Sequence, residues 1–179
     1  MTITETFTLT TGTWMIEPMH SELGFTVRHL GLSRVRGRFN SFSGTAIIGD
    51  DATASSVQVS VDLSSVDTNN PDRDAHLQSS DFFDAETNPR MTFVSTAADE
   101  RGLRGELTIN GVTRPVELDI NFHGVTVDGY ETTRAGFSAT GTVRRSDFGI
   151  DFDAPLGMDG MLISDKVALE LEIQLVPSA

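Results

Sequence analysis

A strict alternation of apolar and polar residues constrains this chain more than any other feature of its sequence. In KVALELEIQLV, residues 166–176, every second side chain from Val167 to Leu175 is apolar, and mostly acidic or amide side chains stand between them. The same period of two recurs in residues 56–63 and 115–122. Successive side chains of a strand point to opposite faces of the sheet, so each run predicts an antiparallel strand with one buried face.

Turn residues and one capping signal mark the connections between these strands. Asn110-Gly111 and Asp128-Gly129 each predict a two-residue β-hairpin, because both central residues of that turn take positive φ. Pro115 lies inside a predicted strand and cannot donate a backbone hydrogen bond, which predicts an edge position or a bulge there. Residues 71–79 break the strand rhythm and follow Asn70, a good N-cap, so they predict one short helix.

The number of predicted elements sets the fold class. About eight strand-like runs and one short helix in 179 residues, without an internal repeat or linker, predict a single all-β domain. Antiparallel strands in this number must close or form a sandwich to hide their edges. A closed barrel of about eight strands has an interior that its own side chains can fill or that can hold one small ligand. The strand pattern therefore leaves the function open.

Composition and charge exclude several classes of protein. The formal net charge of −13 opposes binding to nucleic acid or anionic lipid surfaces unless a local basic patch overrides it. The densest such patch is Arg34, Arg36 and Arg38, which we interpret as the solvated face of a strand. The absence of cysteine excludes disulfides and thiolate sites. The chain starts without a signal-peptide pattern and has no apolar run of 18 residues, so we expect a cytoplasmic protein without a transmembrane segment.

One connecting segment is unusually apolar. Residues 146–165, SDFGIDFDAPLGMDGMLISD, contain Phe148, Phe152, Met158 and Met161 among glycines and a proline. Loops that cross a protein surface are normally polar, so this one must cover something. It either plugs one end of a barrel or covers the mouth of an apolar cavity, and the combination of Met with Phe favours a cavity wall.

No catalytic or metal-binding motif stands out in the sequence. The four histidines are His20, His29, His76 and His123. Their spacing places no two imidazoles on one side of an element, and the aspartates of residues 147–159 do not match a calcium loop. A G-x-S-x-G elbow, a phosphate loop and a dinucleotide fingerprint are all missing from the sequence. We therefore expect a protein that is not an enzyme and that holds no metal or cofactor.

Four stretches resemble, in order, the motifs of one known family. They are TWMIEPMHSELGFTVRHLGLSRVRGRFNSFSG, SVDTNNPDRDAHLQSSDFFDAETNPRMTF, GELTINGVTRPVELDI and VRRSDFGID, and the similarity covers roughly residues 13–176. These stretches resemble the YceI-like family of polyisoprenoid-binding proteins. The resemblance implies an extended, lipocalin-like β-barrel of eight antiparallel strands with a short helix. It also implies an apolar channel for a long isoprenoid or other lipid chain, and often a homodimer.

The resemblance gives a specific set of expectations. We expect one lipid-binding domain over residues 1–179, with about the first 12 residues as an extension. Its function would be the non-enzymatic binding, storage or transport of a polyprenyl, isoprenoid-quinone or similar lipid. The alternative is a filled barrel that acts as a stress-response or interaction module without a lipid. We expect the channel to be lined by apolar residues of several strands and of the apolar segment, namely Phe25, Val27, Val59, Leu118, Phe137, Phe148, Phe152, Met158, Met161, Leu169 and Leu171.

Polar contact to a lipid headgroup would come from hydrogen-bond donors near the inner face. His29 shares the predicted inward face of its strand, and Arg73 and His76 lie beside Leu77 and Phe82 near the predicted helix. Arg73 and His76 can instead form a structural network that anchors the helix, which is the interpretation we prefer for them. A lone histidine on an apolar face is also more often a hydrogen-bonded core residue than a ligand.

Overall fold

The structure is a computed structural model that describes residues 9–99, 101–152 and 163–178. In these residues the chain forms eleven strands: β1 (Gly12–Ile16), β2 (Glu22–His29), β3 (Ser33–Phe39), β4 (Phe42–Ile48), β5 (Ser56–Asp62), β6 (Val66–Asp67), β7 (Arg90–Asp99), β8 (Gly102–Ile109), β9 (Val112–Val127), β10 (Thr133–Arg144) and β11 (Lys166–Pro177). It also forms one α-helix, α1 (Pro71–Gln78), and four short 3-10 helices, Pro18–His20, Ala52–Ala54, Leu63–Ser65 and Arg145–Phe148.

Eight of the strands close into an antiparallel barrel. Their order around the barrel is β1-β4-β5-β7-β8-β9-β10-β11, and β11 pairs back with β1 through Leu175 and Ile16. Closure removes the free sheet edges that an open sheet of this size would expose. The prediction of an all-β, eight-stranded antiparallel barrel with one short helix is confirmed.

Three crossings of the barrel wall are interrupted, which is why eight crossings contain eleven strands. β1 and β2 pair with the same edge of β11 and are separated by the 3-10 turn Pro18–His20. β3 and β4 are separated by Asn40 and Ser41, and β5 and β6 by the 3-10 turn Leu63–Ser65. The strands β2, β3 and β6 thereby lengthen the wall beyond the closed ring. The breaks do not change the order of the crossings, because β2–β3 and β3–β6 continue the pairings β1–β4 and β4–β5.

The helix and one of the two predicted turns form as expected. The side chain of Asn70 caps α1 by accepting a hydrogen bond from the Arg73 backbone N–H at 3.0 Å. Asn110 and Gly111 take φ values of 54° and 72°, which confirms the two-residue hairpin between β8 and β9. β9 pairs with β10 only from Asp119 onward, so Pro115 lies where one edge of β9 is unpaired by a strand, as predicted.

The prediction of a two-residue turn at Asp128-Gly129 is wrong. The loop between β9 and β10 runs from Asp128 to Thr132, and Glu131, with φ of 64°, is its left-handed residue instead of Gly129. The Asp128 carboxylate accepts hydrogen bonds from the backbone N–H groups of Tyr130 and Thr132. An aspartate that bonds the backbone two and four residues ahead builds a wider loop than the tight hairpin requires.

The helices of the described residues are short. In residues 9–99, 101–152 and 163–178, no helix is long and apolar enough to cross a membrane.

Candidate ligand-binding lumen

Three clusters of buried apolar residues line the inside of the barrel. The first packs around Trp14 and Ala135, where β1, β4, β10 and β11 meet. The second packs around Phe148 and Phe82 against β7, β8 and β9, and the third packs around Leu63 against β2, β3 and β5. The clusters lie toward opposite ends of β11, because Leu175 belongs to the first and Leu171 contacts the second and third.

The residues between the clusters are less buried than the clusters themselves. Val59 contacts all three clusters and remains half-buried, whereas its strand neighbour Val61 and its cross-strand partner Phe93 are buried. Ile120 and Ile173 each contact two clusters and are also half-buried. In a solid core the residue shared by all clusters would be the most buried. We infer from this inverted order that the barrel has a lumen in its middle and closely packed apolar residues toward its ends.

Inward-facing glycines let large side chains lie along the wall of the barrel. A Cβ atom on Gly37 would overlap the ring of Phe25, and one on Gly105 would overlap the ring of Phe93. The same relation joins two further pairs of neighbouring strands, Gly44 with Ile16 and Gly141 with Leu118. A side chain that covers a glycine on the adjacent strand does not project toward the barrel axis, so these pairs leave space along it.

The predicted lining residues fall into three groups. Those packed tightly inside the barrel or in the 3-10 turn after β10 are Leu118, Phe137 and Phe148. Those that are half-buried are Phe25, Val27, Val59, Phe152, Leu169 and Leu171, and all of them except Val27 pack against one or more of the clusters. Met158 and Met161 lie outside the described residues, so their part in the channel stays a prediction.

The three predicted headgroup residues have exposed positions. His29 ends β2 and forms an isolated backbone bridge with Ile163. The guanidinium of Arg73 donates hydrogen bonds to the hydroxyl and the carbonyl oxygen of Thr68, at 2.8 and 2.6 Å, which fixes α1 to the residues before it. Arg73 therefore has the structural bonds that we preferred for it in the sequence.

His76 contacts the apolar segment directly. Its ring makes edge-on contacts with Phe82 and Phe152, each at 5.1 Å between ring centroids, and its Nε2 lies 2.8 Å from a carboxylate oxygen of Asp81. His29 and His76 thus contact different parts of the segment that follows β10. His76 contacts Phe152 near its beginning, and His29 bridges Ile163 near its end.

A buried arginine of the motif VRRSDFGID, to which the sequence analysis assigned no specific role, joins both ends of this segment. Arg145 is 6% exposed and donates four hydrogen bonds of 2.9 to 3.1 Å to backbone carbonyl oxygens. Two of these carbonyls, of Ile150 and Phe152, lie before the undescribed residues, and two, of Ile163 and Ser164, lie after them. The odd-numbered residues of β10 face inward, and this alternation, continued beyond the strand, is the signal that would have identified an inward cation.

Asp165 makes a second connection between the ends of the same segment. Burial alone would raise the pKa of Asp165, but hydrogen bonds from the hydroxyl and backbone N–H of Ser146, at 2.8 and 2.9 Å, and the nearby Arg144 guanidinium together lower it. The carboxylate is therefore held ionised where β11 begins. In the residues that the structure describes, no group of three or more His, Asp or Glu side chains is arranged to hold a metal ion.

Comparison with known proteins identifies the family. The family model described as a YceI-like domain matches residues 14–175. The chain belongs to the YceI-like family. Among its relatives, the UPF0312 protein of Pectobacterium atrosepticum is 40% identical over 153 residues, which cover 82% of this chain and 80% of that protein. A UPF0312 protein of Staphylococcus epidermidis is 37% identical over 159 residues, which cover 86% of this chain and 91% of that protein.

Solved structures share the YceI-like barrel. The YCEI protein of Campylobacter jejuni has a TM-score of 0.72 and 29% identity, over 85% of this chain and 90% of that one. BcnA of Burkholderia cenocepacia has a TM-score of 0.77 at 22% identity, over 89% and 98% of the two chains. A polyisoprenoid binding domain from Saccharophagus degradans has a TM-score of 0.73 at 17% identity, over 92% and 98%. The last two similarities concern the fold alone.

Proposed function

We propose that this protein binds a long-chain isoprenoid or a similar lipid in the barrel lumen and stores or carries it without chemical conversion. The observation that supports this proposal is the half-buried middle row of apolar residues, with Val59 at its centre. The related fold of a Saccharophagus degradans protein is that of a polyisoprenoid binding domain, which is consistent with the same ligand class. A solvent-filled apolar lumen is unfavourable, so a flexible hydrocarbon chain would stabilise it.

The energy of such binding would come from the chain and not from its end. Burial of one methylene group contributes about 0.8 kcal/mol, so one five-carbon isoprene unit supplies about 4 kcal/mol before ordering costs are subtracted. Two or three units therefore supply about 8–12 kcal/mol of gross binding energy, and longer chains exceed the ordering costs more easily. An apolar wall that contacts only hydrocarbon discriminates chains by length and shape and is insensitive to the chemistry of the headgroup.

A headgroup would be contacted at the apolar segment that follows β10. His29 and His76 are exposed there and carry imidazole nitrogens that can donate or accept hydrogen bonds. Arg73 is the weaker candidate, because its guanidinium already donates to Thr68. The cytoplasmic location and the homodimer stay predictions, and size-exclusion chromatography with light scattering tests the second of them.

The test of this function is to identify what copurifies with the protein. The chain is expressed in bacteria that make isoprenoid lipids, purified without detergent, and analysed by native mass spectrometry and by mass analysis of an organic extract. Val59→Trp is the blocking variant, because the indole would project into the middle of the lumen. Gln58→Trp is its matched control, since the neighbouring residue of β5 is exposed and receives the same side chain on the outer face.

The expected result is a bound lipid in the wild-type protein and in Gln58→Trp, with most of it lost from Val59→Trp while the far-UV spectrum stays unchanged. Equal lipid loading of the two variants would show that the lipid lies outside the lumen. A wild-type protein whose extracts contain no lipid would contradict the proposal and favour the filled-barrel alternative.

A further inference from the structure

The outer face of the β2–β3 hairpin is basic in an otherwise acidic protein. Arg28 on β2 and Arg34 on β3 are direct cross-strand partners, and Arg36 and Arg38 follow on the same face of β3. No acidic residue occurs between Glu22 and Asp50, although the whole chain carries 26 acidic residues against 13 basic ones. The hairpin therefore presents a positive surface on a molecule of net charge −13.

The described residues supply these arginines with few acidic partners. Arg38 lies 3.6 Å from a carboxylate oxygen of Asp67, but Arg28, Arg34 and Arg36 form no ion pair with any residue that the structure describes. Like charges directly opposite each other on neighbouring strands destabilise a sheet, so the Arg28–Arg34 pair costs folding energy. Arg36 adjoins Glu22, Glu170 and Glu172 along a surface depression, which leaves Arg28 and Arg34 as the most free of the cations.

The positive surface continues onto the next two strands. The Arg28 backbone N–H donates to the hydroxyl of Ser164, which itself donates to the carbonyl oxygen of Lys166. Lys166 is exposed and is the cross-strand partner of Arg144 on β10. Cations from four adjacent strands thus lie near the end of the barrel at which the β2–β3 turn is found.

The tip of the same hairpin carries two exposed leucines. Leu30 is 43% exposed and Leu32 is 81% exposed. Leu30 and Gly31 form the turn with φ values of 54° and 67°, and Leu32 donates its N–H to the carbonyl oxygen of His29 at 2.9 Å. A left-handed conformation is unfavourable for leucine and is readily adopted by Asn or Gly, and Asn-Gly is the preferred pair for this turn. A strained leucine with an exposed side chain is not explained by packing within the fold.

We propose that this hairpin docks the protein on an anionic phospholipid bilayer. Arg28 and Arg34 would face the lipid phosphates while Leu30 and Leu32 enter the boundary between headgroups and acyl chains. Basic side chains alone would equally suit nucleic acid, but the charged phosphate backbone of a duplex offers no apolar environment in which burial of leucine would be favourable. The combination of unpaired cations with exposed leucines at one tip fits a bilayer.

The charge of the rest of the molecule sets the orientation of docking. An anionic surface repels the acidic remainder of the chain and attracts only this face, so the hairpin end approaches first. His29, at the base of the turn, bridges Ile163, so docking brings the backbone around Ile163 close to the membrane. This inference goes beyond lipid binding in the lumen, and vesicle binding is measured whether or not the lumen is loaded, so the two proposals can fail separately.

The test is cosedimentation of the full chain with large vesicles. Vesicles of phosphatidylcholine alone are compared with vesicles that contain equal parts of phosphatidylglycerol, at about 0.02 M and about 0.5 M salt. The protein is expected to bind only the anionic vesicles and to be released at the higher salt. Each basic residue near such a surface contributes about fivefold to the partition coefficient, so Arg28→Gln/Arg34→Gln is expected to lower it about 30-fold.

The leucines are tested with variants that separate binding from folding. Leu30→Asn suits the left-handed turn, so it is expected to keep or raise the unfolding midpoint in urea while it lowers vesicle binding about tenfold. Leu32→Ser is expected to lower vesicle binding by a similar factor. As controls, Arg90→Gln/Arg104→Gln removes two exposed cations from β7 and β8, and Val127→Ser removes an exposed apolar side chain from β9. Both are expected to leave vesicle binding within about twofold of the wild type.

Three results would overturn the proposal. The first is equal binding to neutral and anionic vesicles, and the second is an equal loss of binding in the hairpin variants and their controls. The third is gel retardation of duplex DNA that depends on Arg28 and Arg34 without vesicle binding, which would assign the face to nucleic acid.

Discussion

Replacement of Arg145 by methionine is expected to destabilise the barrel strongly, although Arg145 forms no ion pair in the described structure. Its guanidinium donates hydrogen bonds to four backbone carbonyl oxygens, those of Ile150, Phe152, Ile163 and Ser164. Methionine is unbranched and flexible like the stem of arginine but is shorter and has no donor, so it would preserve the packing of the stem and remove the guanidinium with its hydrogen bonds.

The magnitude follows from the burial of the four carbonyls. The carbonyl of Ile150 is in a buried contact, and leaving it without a donor costs about 2 kcal/mol. The other three, of Phe152, Ile163 and Ser164, are partly buried and can regain water, which reduces the cost to about 0.5–1 kcal/mol each. The expected loss is therefore about 4 kcal/mol in the free energy of unfolding, or about 8–16 °C in Tm for a chain of this size.

The measurement is urea unfolding followed by far-UV circular dichroism, with the slope m compared between variants. The matched control is Arg144→Met, because Arg144 is the adjacent arginine, its side chain is 65% exposed and its nearest carboxylate oxygen, on Asp165, is 3.5 Å away. An exposed pair of this kind contributes about 0–1 kcal/mol. If Arg145→Met and Arg144→Met differ by less than about 1 kcal/mol, the role assigned to the buried guanidinium is wrong.

Three further predictions test the lumen, one carboxylate and the helix cap. Val59→Phe is expected to change the free energy of unfolding by less than about 0.5 kcal/mol, because the lumen has room for the larger side chain. Ala135→Leu, in the closely packed cluster around Trp14, is expected to lower it by about 1–3 kcal/mol through overpacking. Equal losses for the two variants in urea unfolding would mean that the interior is solid. The lowered pKa of Asp165 gives stability that is present above the ordinary pKa of 3.8 and is lost as the pH falls through the lower folded value, so the advantage of wild type over Asp165→Asn in urea midpoints should decline as the pH is lowered below 3.8. Asn70→Ala is expected to cost about 1 kcal/mol and Asn70→Asp nearly nothing, measured in the same way, because only the first removes the side-chain acceptor of the helix cap.

The strands and their inward faces could be predicted from local patterns. The alternation from Val167 to Leu175 reflects a strand with one face in the core and one in water. Each residue of the strand must suit the face on which it lies, so the pattern is visible in the local sequence. The helix cap at Asn70 and the hairpin at Asn110-Gly111 could also be predicted, because an N-cap and a two-residue hairpin depend on the backbone geometry of a few neighbouring residues. Asp128-Gly129 failed because its side chain bonds to residues farther along the loop.

The candidate site was less accessible from sequence than the fold. Apolar residues at inward positions read alike whether they fill a core or line a lumen, so Leu118 and Val59 were grouped although one is buried and the other half-buried. Arg145 lies in a family motif, but its role could not be derived from the sequence because its partners are backbone carbonyls, which every residue supplies.

The sequence by itself determined an acidic, all-β chain with about eight strand-like runs and one capped helix, because each of these depends on residues that are neighbours in the sequence. Only the tertiary structure decided that β11 pairs back with β1, that the ends of the barrel are packed while Val59 stays half-buried, and that the cations of β2 and β3 lie side by side. These depend on which distant residues meet when the sheet closes, and packing over such separations is a property of the whole barrel.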